Sequence, residues 1–190
     1  MDIHLCALDP TMAQAWARQF GSQPGVAIHV GNILRRKADA ILSPANSFGF
    51  MDGGIDLAYS EFFGWDLQDR LQETLRREHA GELPVGNAVV IPTQHADIPY
   101  LVSAPTMRIP QDIAHTVNVY LAFRAALRAA QASSHIRSLL SPALGTGVGG
   151  MSLERAAKQM YAAYADVILE ETQCRASARG ILRHHAELLA

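Results

Sequence analysis

Residues 145–150 are the part of the sequence best suited to hold a phosphate group. They contain four glycines together with Thr146 and Val148. Glycine lets a ligand approach the backbone closely, and the N–H groups of such a turn, with a threonine hydroxyl, donate hydrogen bonds to an anion. A connection that is merely flexible rarely needs so many glycines. We therefore interpret this segment as a loop that binds a diphosphate.

A second segment, residues 43–56, carries two side chains that can act on a sugar. The amide of Asn46 offers donors and an acceptor suited to sugar hydroxyls. Asp56 follows Gly53 and Gly54, in the first turn of a predicted helix. Its carboxylate has two explanations: it stabilises the helix dipole, or it faces the pocket and positions or deprotonates a water near the sugar. The residues alone leave both explanations open.

Short apolar runs alternate with amphipathic or alanine-rich stretches, which predicts strands alternating with helices. The predicted strands are 3–8, 26–30, 38–42, 88–91, 100–103 and 136–140. The predicted helices are 9–21, 55–63, 67–79, 113–132 and 152–168, and residues 181–189 can form a short further helix. Both glycine loops then lie between a strand and a helix, where unpaired N–H groups of the first helical turn attract phosphate.

This alternation predicts one α/β domain over residues 1–190, with a largely parallel sheet covered on both faces. The chain has 190 residues and is 49% apolar, which is enough to bury one core. We find no internal repeat, low-complexity tract or linker. Ligands of such sheets bind at the carboxyl ends of the strands, which is where both loops fall.

Composition excludes several classes of function. The net charge is -2 with evenly spread charges, so we expect no binding to duplex nucleic acid. No run of residues resembles a secretory signal or a membrane span, and Cys6 and Cys174 lack paired spacing, so we expect a cytoplasmic protein that does not enter membranes. His184 and His185 have no nearby cysteine or carboxylate cluster, so we expect no metal site.

Two common nucleotide motifs are missing from the loops. No Gly-Lys-Ser/Thr sequence follows either loop, and the glycine spacing does not match the dinucleotide-binding fingerprint. Both the ATPase and the nicotinamide dehydrogenase hypotheses lose most of their support.

The order of the motifs resembles the macrodomain family, whose members bind ADP-ribose. The resemblance rests on Gly31-Asn32-Ile33, residues 38–47 (ADAILSPANS), residues 53–56 (GGID), residues 86–93 (GNAVVIPT) and the loop 145–150. It covers roughly residues 26–170. It implies a three-layer α/β/α sandwich with a mixed, largely parallel sheet. It also implies a cleft in which two loops hold the diphosphate, with adenine and the distal ribose at opposite ends.

The resemblance also assigns roles by position. It implies that Asn46 contacts the distal ribose and that Asp56 helps to place a catalytic water, as in hydrolytic members similar to the MacroD class. The other implied ligand contacts are Asn32, Ile33, Ala45, Gly53, Gly54, Ile55, Gly145, Thr146, Gly147, Val148 and Gly149. No metal or cofactor is implied. The implied partner is ADP-ribose or an ADP-ribosylated protein.

Three features depart from the family's pattern. Asn32 stands where members usually have an aspartate that reads the adenine amino group, and Met51-Asp52 interrupts the longer glycine run of hydrolytic members. Gly149 stands where those members have an aromatic residue. We also predict no last strand after the helix ending near Ile168, so no residue is assigned to stack on adenine.

Three functions follow from this reasoning and stay open. The first is hydrolysis at the distal ribose, which releases ADP-ribose from an acylated or protein-linked form. The second is a reader that binds ADP-ribose without catalysis, and the third is a phosphatase for a phosphate ester of ADP-ribose. Phe48 and Phe50 either cover the open distal ribose or pack into the core.

Overall fold

A computed structural model describes all residues from 1 to 190. The strands are β1 (Asp2–Ala7), β2 (Val26–Val30), β3 (Ala40–Ser43), β4 (Val89–Pro92), β5 (Tyr100–Ser103) and β6 (Ser138–Ser141). The helices are α1 (Pro10–Phe20), α2 (Gly54–Phe63), α3 (Asp66–His79), α4 (Asn118–Ala132), α5 (Leu153–Val167) and α6 (Ala178–Leu189). Two 3₁₀ turns, Ile33–Arg35 and Gln173–Ala176, complete the regular structure.

All six strands form one sheet in the order β2-β1-β6-β3-β5-β4. Every neighbouring pair is parallel except β4 with β5, which is antiparallel. At the centre, β3 pairs with β6 through Ile41 opposite Leu140, and with β5 through Ser43 opposite Ser103. The mixed, largely parallel sheet expected from the sequence is confirmed.

Alternating strand residues divide the core into two clusters, one on each face of the sheet. Leu42 points into the cluster built with α1, α4 and α5, whereas its neighbour Ile41 points into the cluster built with α2 and α3. Both side chains are fully buried. Helices therefore cover both faces, which confirms the three-layer α/β/α sandwich.

Local sequence signals account for the helix boundaries. Asp9 caps α1 by accepting a hydrogen bond of 2.8 Å from the Thr11 N–H, and Pro10 occupies the first helical turn. Ser152 caps α5 in the same way, through the Arg155 N–H. Both starts agree with the sequence-based boundaries.

The prediction for residues 113–132 is wrong over its first five residues, because α4 begins only at Asn118. Residues 113–117 instead connect to the glycine loop at 145–150. The Ile113 N–H donates to the Gly149 carbonyl at 2.9 Å, and the Thr116 hydroxyl donates to the Ile113 carbonyl. The tertiary contact with Gly149 and this local side-chain hydrogen bond outweigh the helical pattern of the segment.

The chain after α5 forms no strand, as expected, and packs through polar contacts. Gln159 of α5 is fully buried and donates to the carbonyl of Leu188 in α6 at 3.0 Å. The Asp166 carboxylate accepts hydrogen bonds from Arg124 of α4, from Tyr120 and from Arg175. This cluster fixes the 3₁₀ turn at 173–176, and with it the start of α6, against α4 and α5.

None of the helices combines the length and the apolar character that crossing a membrane requires.

Replacing Asp166 with asparagine is expected to destabilise the fold by about 1–3 kcal/mol, because two arginines lose a carboxylate that is only 5% exposed. Urea unfolding measures the change, and amide hydrogen exchange in α6 should accelerate. The matched control is Glu73→Gln, which removes an ion pair to Arg76 whose side chains are both more than 60% exposed. That change should cost no more than about 0.5 kcal/mol. Equal effects of the two substitutions would contradict a stabilising role of the contacts between Asp166 and the two arginines.

Candidate functional site

Two loops meet at the carboxyl end of the sheet because β3 and β6 are parallel neighbours. A cavity of about 330 Å³ lies between them. From the loop after β3 it is lined by Ala45, Asn46, Gly53, Gly54, Ile55 and Asp56, and from the loop after β6 by residues 145–149. The structure thus brings together eleven of the thirteen residues expected to form the site.

The other two expected residues, Asn32 and Ile33, line a neighbouring cavity of about 490 Å³ whose walls are mostly apolar. Ile55, Ala143 and Thr146 line both cavities, so the two cavities adjoin, and together they are called the cleft below. The Asn32 side-chain oxygen caps the 3₁₀ turn by accepting from the Leu34 N–H at 2.9 Å. Its amide N–H groups are left free for a ligand.

The loop after β6 presents unpaired backbone donors to the cavity. It closes through two backbone hydrogen bonds, from the Gly150 N–H to the Gly147 carbonyl and from the Met151 N–H to the Gly145 carbonyl, both at 3.0 Å. The N–H groups of residues 146–149 have no acceptor in the protein. Consecutive free N–H groups around a turn form a concave site for an anion.

The glycines of this loop serve two different purposes. A Cβ on Gly149 would lie 2.6 Å from the Gly145 carbonyl oxygen and 2.7 Å from Ile113 Cγ1, so packing within the protein excludes a side chain there. A Cβ on Gly147 would meet nothing within 4 Å, although this residue lines the cavity. The protein itself therefore does not require glycine at 147, whereas close approach of a ligand would.

The amino end of α2 forms the opposite wall. Gly53 is its N-cap and provides no side-chain cap, so the first N–H groups of the helix, from Gly54 to Asp56, stay unpaired. These groups carry the positive end of the helix dipole. An anion in the cavity would thus be held from two sides by backbone donors.

Asp56 is the one buried carboxylate of the cavity, with 7% of its surface exposed. Its Oδ1 accepts a hydrogen bond of 2.7 Å from the hydroxyl of Ser43, at the end of β3. Its Oδ2 accepts no hydrogen bond. Only two side-chain nitrogen or oxygen atoms, Ser47 Oγ and Arg155 Nε, are both fully enclosed and without a hydrogen-bond partner, so Oδ2 is not fully enclosed. Oδ2 is therefore open to the cleft. The carboxylate is a cavity group as well as a first-turn residue of α2.

Burial raises the pKa of the Asp56 carboxyl from 3.8 to about 7, and the hydrogen bond from Ser43 opposes this rise. A carboxyl with such a pKa exchanges its proton near neutral pH, which suits a general base. Sequence reasoning missed Ser43 as a partner of Asp56. Its position at the end of a predicted strand, within the first motif, was the available signal.

Asn46 uses most of its amide to hold its own loop. Its Oδ1 accepts from the N–H groups of Phe48 at 3.0 Å and Phe50 at 3.3 Å, and its Nδ2 donates to the Phe50 carbonyl at 2.8 Å. One amide N–H is left for a ligand. The expected contact between Asn46 and a sugar stays a prediction, and only this one N–H is available to make it.

Four further residues lie in or beside the loop after β3, and three of them line the cavity. Phe50 lines the cavity and is 53% exposed, whereas Phe48 does not line it and packs beneath the guanidinium of Arg108. Thr106 and Met107, which sequence reasoning did not assign, line the cavity from the segment after β5. The Thr106 hydroxyl donates to the Pro44 carbonyl at 3.0 Å and fixes this segment to the loop.

Comparison with known proteins identifies one family. The sequence profile of the Macro domain matches residues 42–160. An uncharacterised protein of Aeropyrum pernix is 34% identical over 134 residues, which are 70% of this chain and 67% of that protein. The chain also resembles a macro domain-containing protein of Cupriavidus necator, with 31% identity over 140 residues, covering 73% of this chain and 79% of that protein.

Solved structures agree in fold. A mutant macrodomain of Oceanobacillus iheyensis, determined with ADPR, superimposes with a TM-score of 0.64 at 20% identity, covering 73% of this chain and 76% of that one. DarTG of Thermosipho africanus in complex with ADP-ribose gives a TM-score of 0.60 at 14% identity, covering 88% of this chain and half of that one. At these identities the likeness concerns the fold alone.

Replacing Asp56 with asparagine is expected to stabilise the fold above pH 7 by on the order of 2–4 kcal/mol. The folded carboxyl keeps its proton up to a pKa of about 7, whereas the unfolded chain releases it near 3.8. Stability of the parent is therefore lost as pH rises from about 4 to 7. Asparagine removes this loss and still accepts from Ser43. Urea unfolding at pH 4, 6 and 8 measures the difference, which should grow with pH.

The control for this experiment is Asp69→Asn, at an exposed position on α3. It should change stability little and show no such growth between pH 4 and 8. If the free energies of unfolding of the parent and the Asp56 variant differ by the same amount at all three pH values, ionisation of buried Asp56 does not destabilise the fold.

Proposed function

The chain belongs to the Macro domain family, and from this premise we propose that its cleft binds ADP-ribose and hydrolyses the bond between the distal ribose and an acyl or protein-linked group. The observation that carries the proposal is the buried Asp56 carboxyl, which has one oxygen open to a cavity lined by free backbone N–H groups.

The shape of the cleft supports ADP-ribose as the ligand. The mostly apolar cavity beside Asn32 suits a purine base, because flat apolar walls and a few polar groups are what such sites provide. The free N–H groups of residues 146–149 and of the α2 start suit the diphosphate. The distal ribose would then lie beside Asn46 and Asp56. The structurally similar macrodomain of Oceanobacillus iheyensis has been determined with ADPR, and DarTG of Thermosipho africanus with ADP-ribose.

In the proposed reaction, ionised Asp56 accepts a hydrogen bond from a water and orients it toward the anomeric carbon of the distal ribose. The water oxygen forms a bond to that carbon, and the bond to the acyl oxygen breaks with its electron pair. The products are ADP-ribose and a carboxylate. One proton of the water stays on the new hydroxyl of the ribose, and the other, which the water donates to Asp56, passes to that carboxylate and then to solvent. General-base help of this kind contributes about 10²–10⁴ in rate.

A reader that binds without turnover is the second candidate, and the geometry of Asn46 favours it. Three hydrogen bonds within the loop occupy its amide, so only one N–H is left to fix the sugar. Hydrolysis needs the anomeric carbon to be held close to the water, whereas binding of the nucleotide does not. Turnover measurements decide between the two.

Two alanine substitutions in the diphosphate loop test the proposed ligand. Gly147→Ala should leave the thermal unfolding temperature nearly unchanged, because a Cβ there meets no protein atom, but should weaken ADP-ribose binding at least about tenfold. Gly149→Ala should destabilise the protein by about 1–3 kcal/mol through its clash with Gly145 and Ile113. Calorimetry measures binding. Undiminished affinity in the Gly147 variant would argue against a diphosphate in this loop.

A second test concerns turnover. Wild-type protein should release ADP-ribose from a protein ADP-ribosylated on carboxylates and from O-acetyl-ADP-ribose, with kcat/KM rising as pH passes about 7, the pKa of Asp56. Asp56→Asn should lower kcat/KM at least about 100-fold while ADP-ribose still binds. Asp69→Asn should retain full activity. If the wild type binds ADP-ribose tightly but turns over neither substrate, the protein is a reader.

A further inference from the structure

Two polar side chains lie at the carboxyl ends of β1 and β2. These strands are parallel neighbours, and Ala7 at the end of β1 lies opposite Val30 at the end of β2. Asp9 and Asn32 each come two residues after this matched pair, so the register brings them to the same end of neighbouring strands. Both line the mostly apolar cavity of about 490 Å³, and neither lines the other cavity. They therefore lie in the part of the cleft that is proposed to hold the base.

A helix cap leaves one carboxylate oxygen of Asp9 free. Its Oδ1 accepts a hydrogen bond of 2.8 Å from the Thr11 N–H at the start of α1. Its Oδ2 accepts no hydrogen bond and forms no ion pair within the protein. The backbone hydrogen bond from Thr11 also lowers the pKa of the Asp9 carboxyl below its ordinary value. At neutral pH the free oxygen is therefore a hydrogen-bond acceptor and cannot donate.

A cap of the same kind gives Asn32 the opposite chemistry. Its side-chain oxygen accepts from the Leu34 N–H at 2.9 Å. Because a backbone N–H can only donate, the oxygen and not the nitrogen of the amide must face it. The amide nitrogen makes no hydrogen bond within the protein and can only donate. This end of the cavity thus carries one acceptor and one donor, each fixed by its own cap.

No other side chain of this cavity is available to read the polar edge of a base. Apart from Asp9 and Asn32, only Tyr59 and Thr146 line it with a side-chain oxygen or nitrogen. The Tyr59 hydroxyl is buried and donates to a carbonyl of β3 at 3.2 Å. Thr146 also lines the other cavity and belongs to the loop of free N–H groups. A base in this cavity can therefore be read by side chains only at Asp9 and Asn32.

The acceptor and the donor match the edge of adenine. Adenine carries a 6-amino donor next to N1, which is an acceptor, whereas hypoxanthine carries the acceptor O6 next to an N1–H donor. A carboxylate opposite the amino group and an amide N–H opposite N1 satisfy both positions of adenine. With hypoxanthine, the same arrangement sets acceptor against acceptor and donor against donor. Polar groups that bind opposed to each other lose their hydrogen bonds to water without replacement, which weakens binding.

We propose that Asp9 and Asn32 together determine which base the cleft accepts. Asp9 accepts a hydrogen bond from the 6-amino group, and Asn32 donates one to N1. This assignment rests on the proposed binding of ADP-ribose and adds Asp9 to the residues that contact it. The pair selects a 6-aminopurine over a 6-oxopurine and takes no part in bond cleavage.

The test compares ADP-ribose with inosine diphosphate ribose, in which hypoxanthine replaces adenine, by calorimetry. Wild-type protein should bind ADP-ribose at least about tenfold more tightly. Because the two ligands carry the same diphosphate, the ratio of their dissociation constants cancels any effect of the Asp9 charge on that group. The double substitution of Asp9→Asn with Asn32→Asp exchanges the donor and the acceptor, and should invert the preference.

These substitutions keep both caps, because asparagine and aspartate each retain an oxygen that accepts from the Thr11 or Leu34 N–H. The thermal unfolding temperature should therefore stay nearly unchanged. Each single substitution leaves either base with one matched and one opposed contact, and should bring the ratio close to one. The control is Asp69→Asn, which removes an exposed charge on α3 outside both cavities and should leave the ratio as in wild type.

The outcomes separate this proposal from the one on which it rests. Wild-type protein that binds both ligands equally, or prefers the inosine compound, overturns the base assignment and leaves ADP-ribose binding intact. A preference for ADP-ribose that survives the double substitution also overturns it. Failure to bind ADP-ribose overturns both proposals. If the double variant folds poorly, the two single variants supply the comparison with wild type.

Discussion

The parallel pairing of β3 with β6 is the constraint on which the rest of the site depends. Both strands are only four residues long, and Ile41 lies opposite Leu140 in the middle of the sheet. Because their carboxyl ends are adjacent, the loops that follow them face each other across one cavity. The same end of β3 carries Ser43, whose hydroxyl reaches the first turn of α2 and holds Asp56. One strand pair thus fixes both the free backbone N–H groups and the carboxylate.

The use of backbone donors in place of cationic side chains explains how carboxylates can remain in a cleft that is proposed to bind an anion. A lysine or arginine beside the proposed diphosphate would also attract Asp56 and lower its pKa. Neither cavity contains one, and the pKa of Asp56 stays near 7 through burial. N–H groups at a helix start and in a glycine turn attract phosphate locally while adding no net charge. Anion binding and a basic carboxylate are therefore compatible within one cleft.

The fold and the grouping of most expected residues around one cavity followed from sequence, because both depend on local patterns and on the order of the motifs. Periodicity located the helices and strands, and motif order identified the residues that line the cavity. The exceptions depend on tertiary contacts. Residues 113–117 have a helical pattern, yet Ile113 is bound to Gly149 more than thirty residues later in the chain. The occupation of the Asn46 amide by the Phe48 and Phe50 backbone depends on the loop's path, which composition does not define.

These contacts also relate the stability of the site to its chemistry. The Asn46 amide makes three hydrogen bonds within its own loop, which hold the loop in shape before any ligand enters. Ligand binding therefore need not order the loop. The ionised form of Asp56, in contrast, is destabilised by burial. Only the hydrogen bond from Ser43 and groups that enter the cleft offset this effect. A water or sugar hydroxyl that donates to Oδ2 would favour the ionised form. Binding of the substrate would then help to ionise the Asp56 carboxyl that acts as its general base.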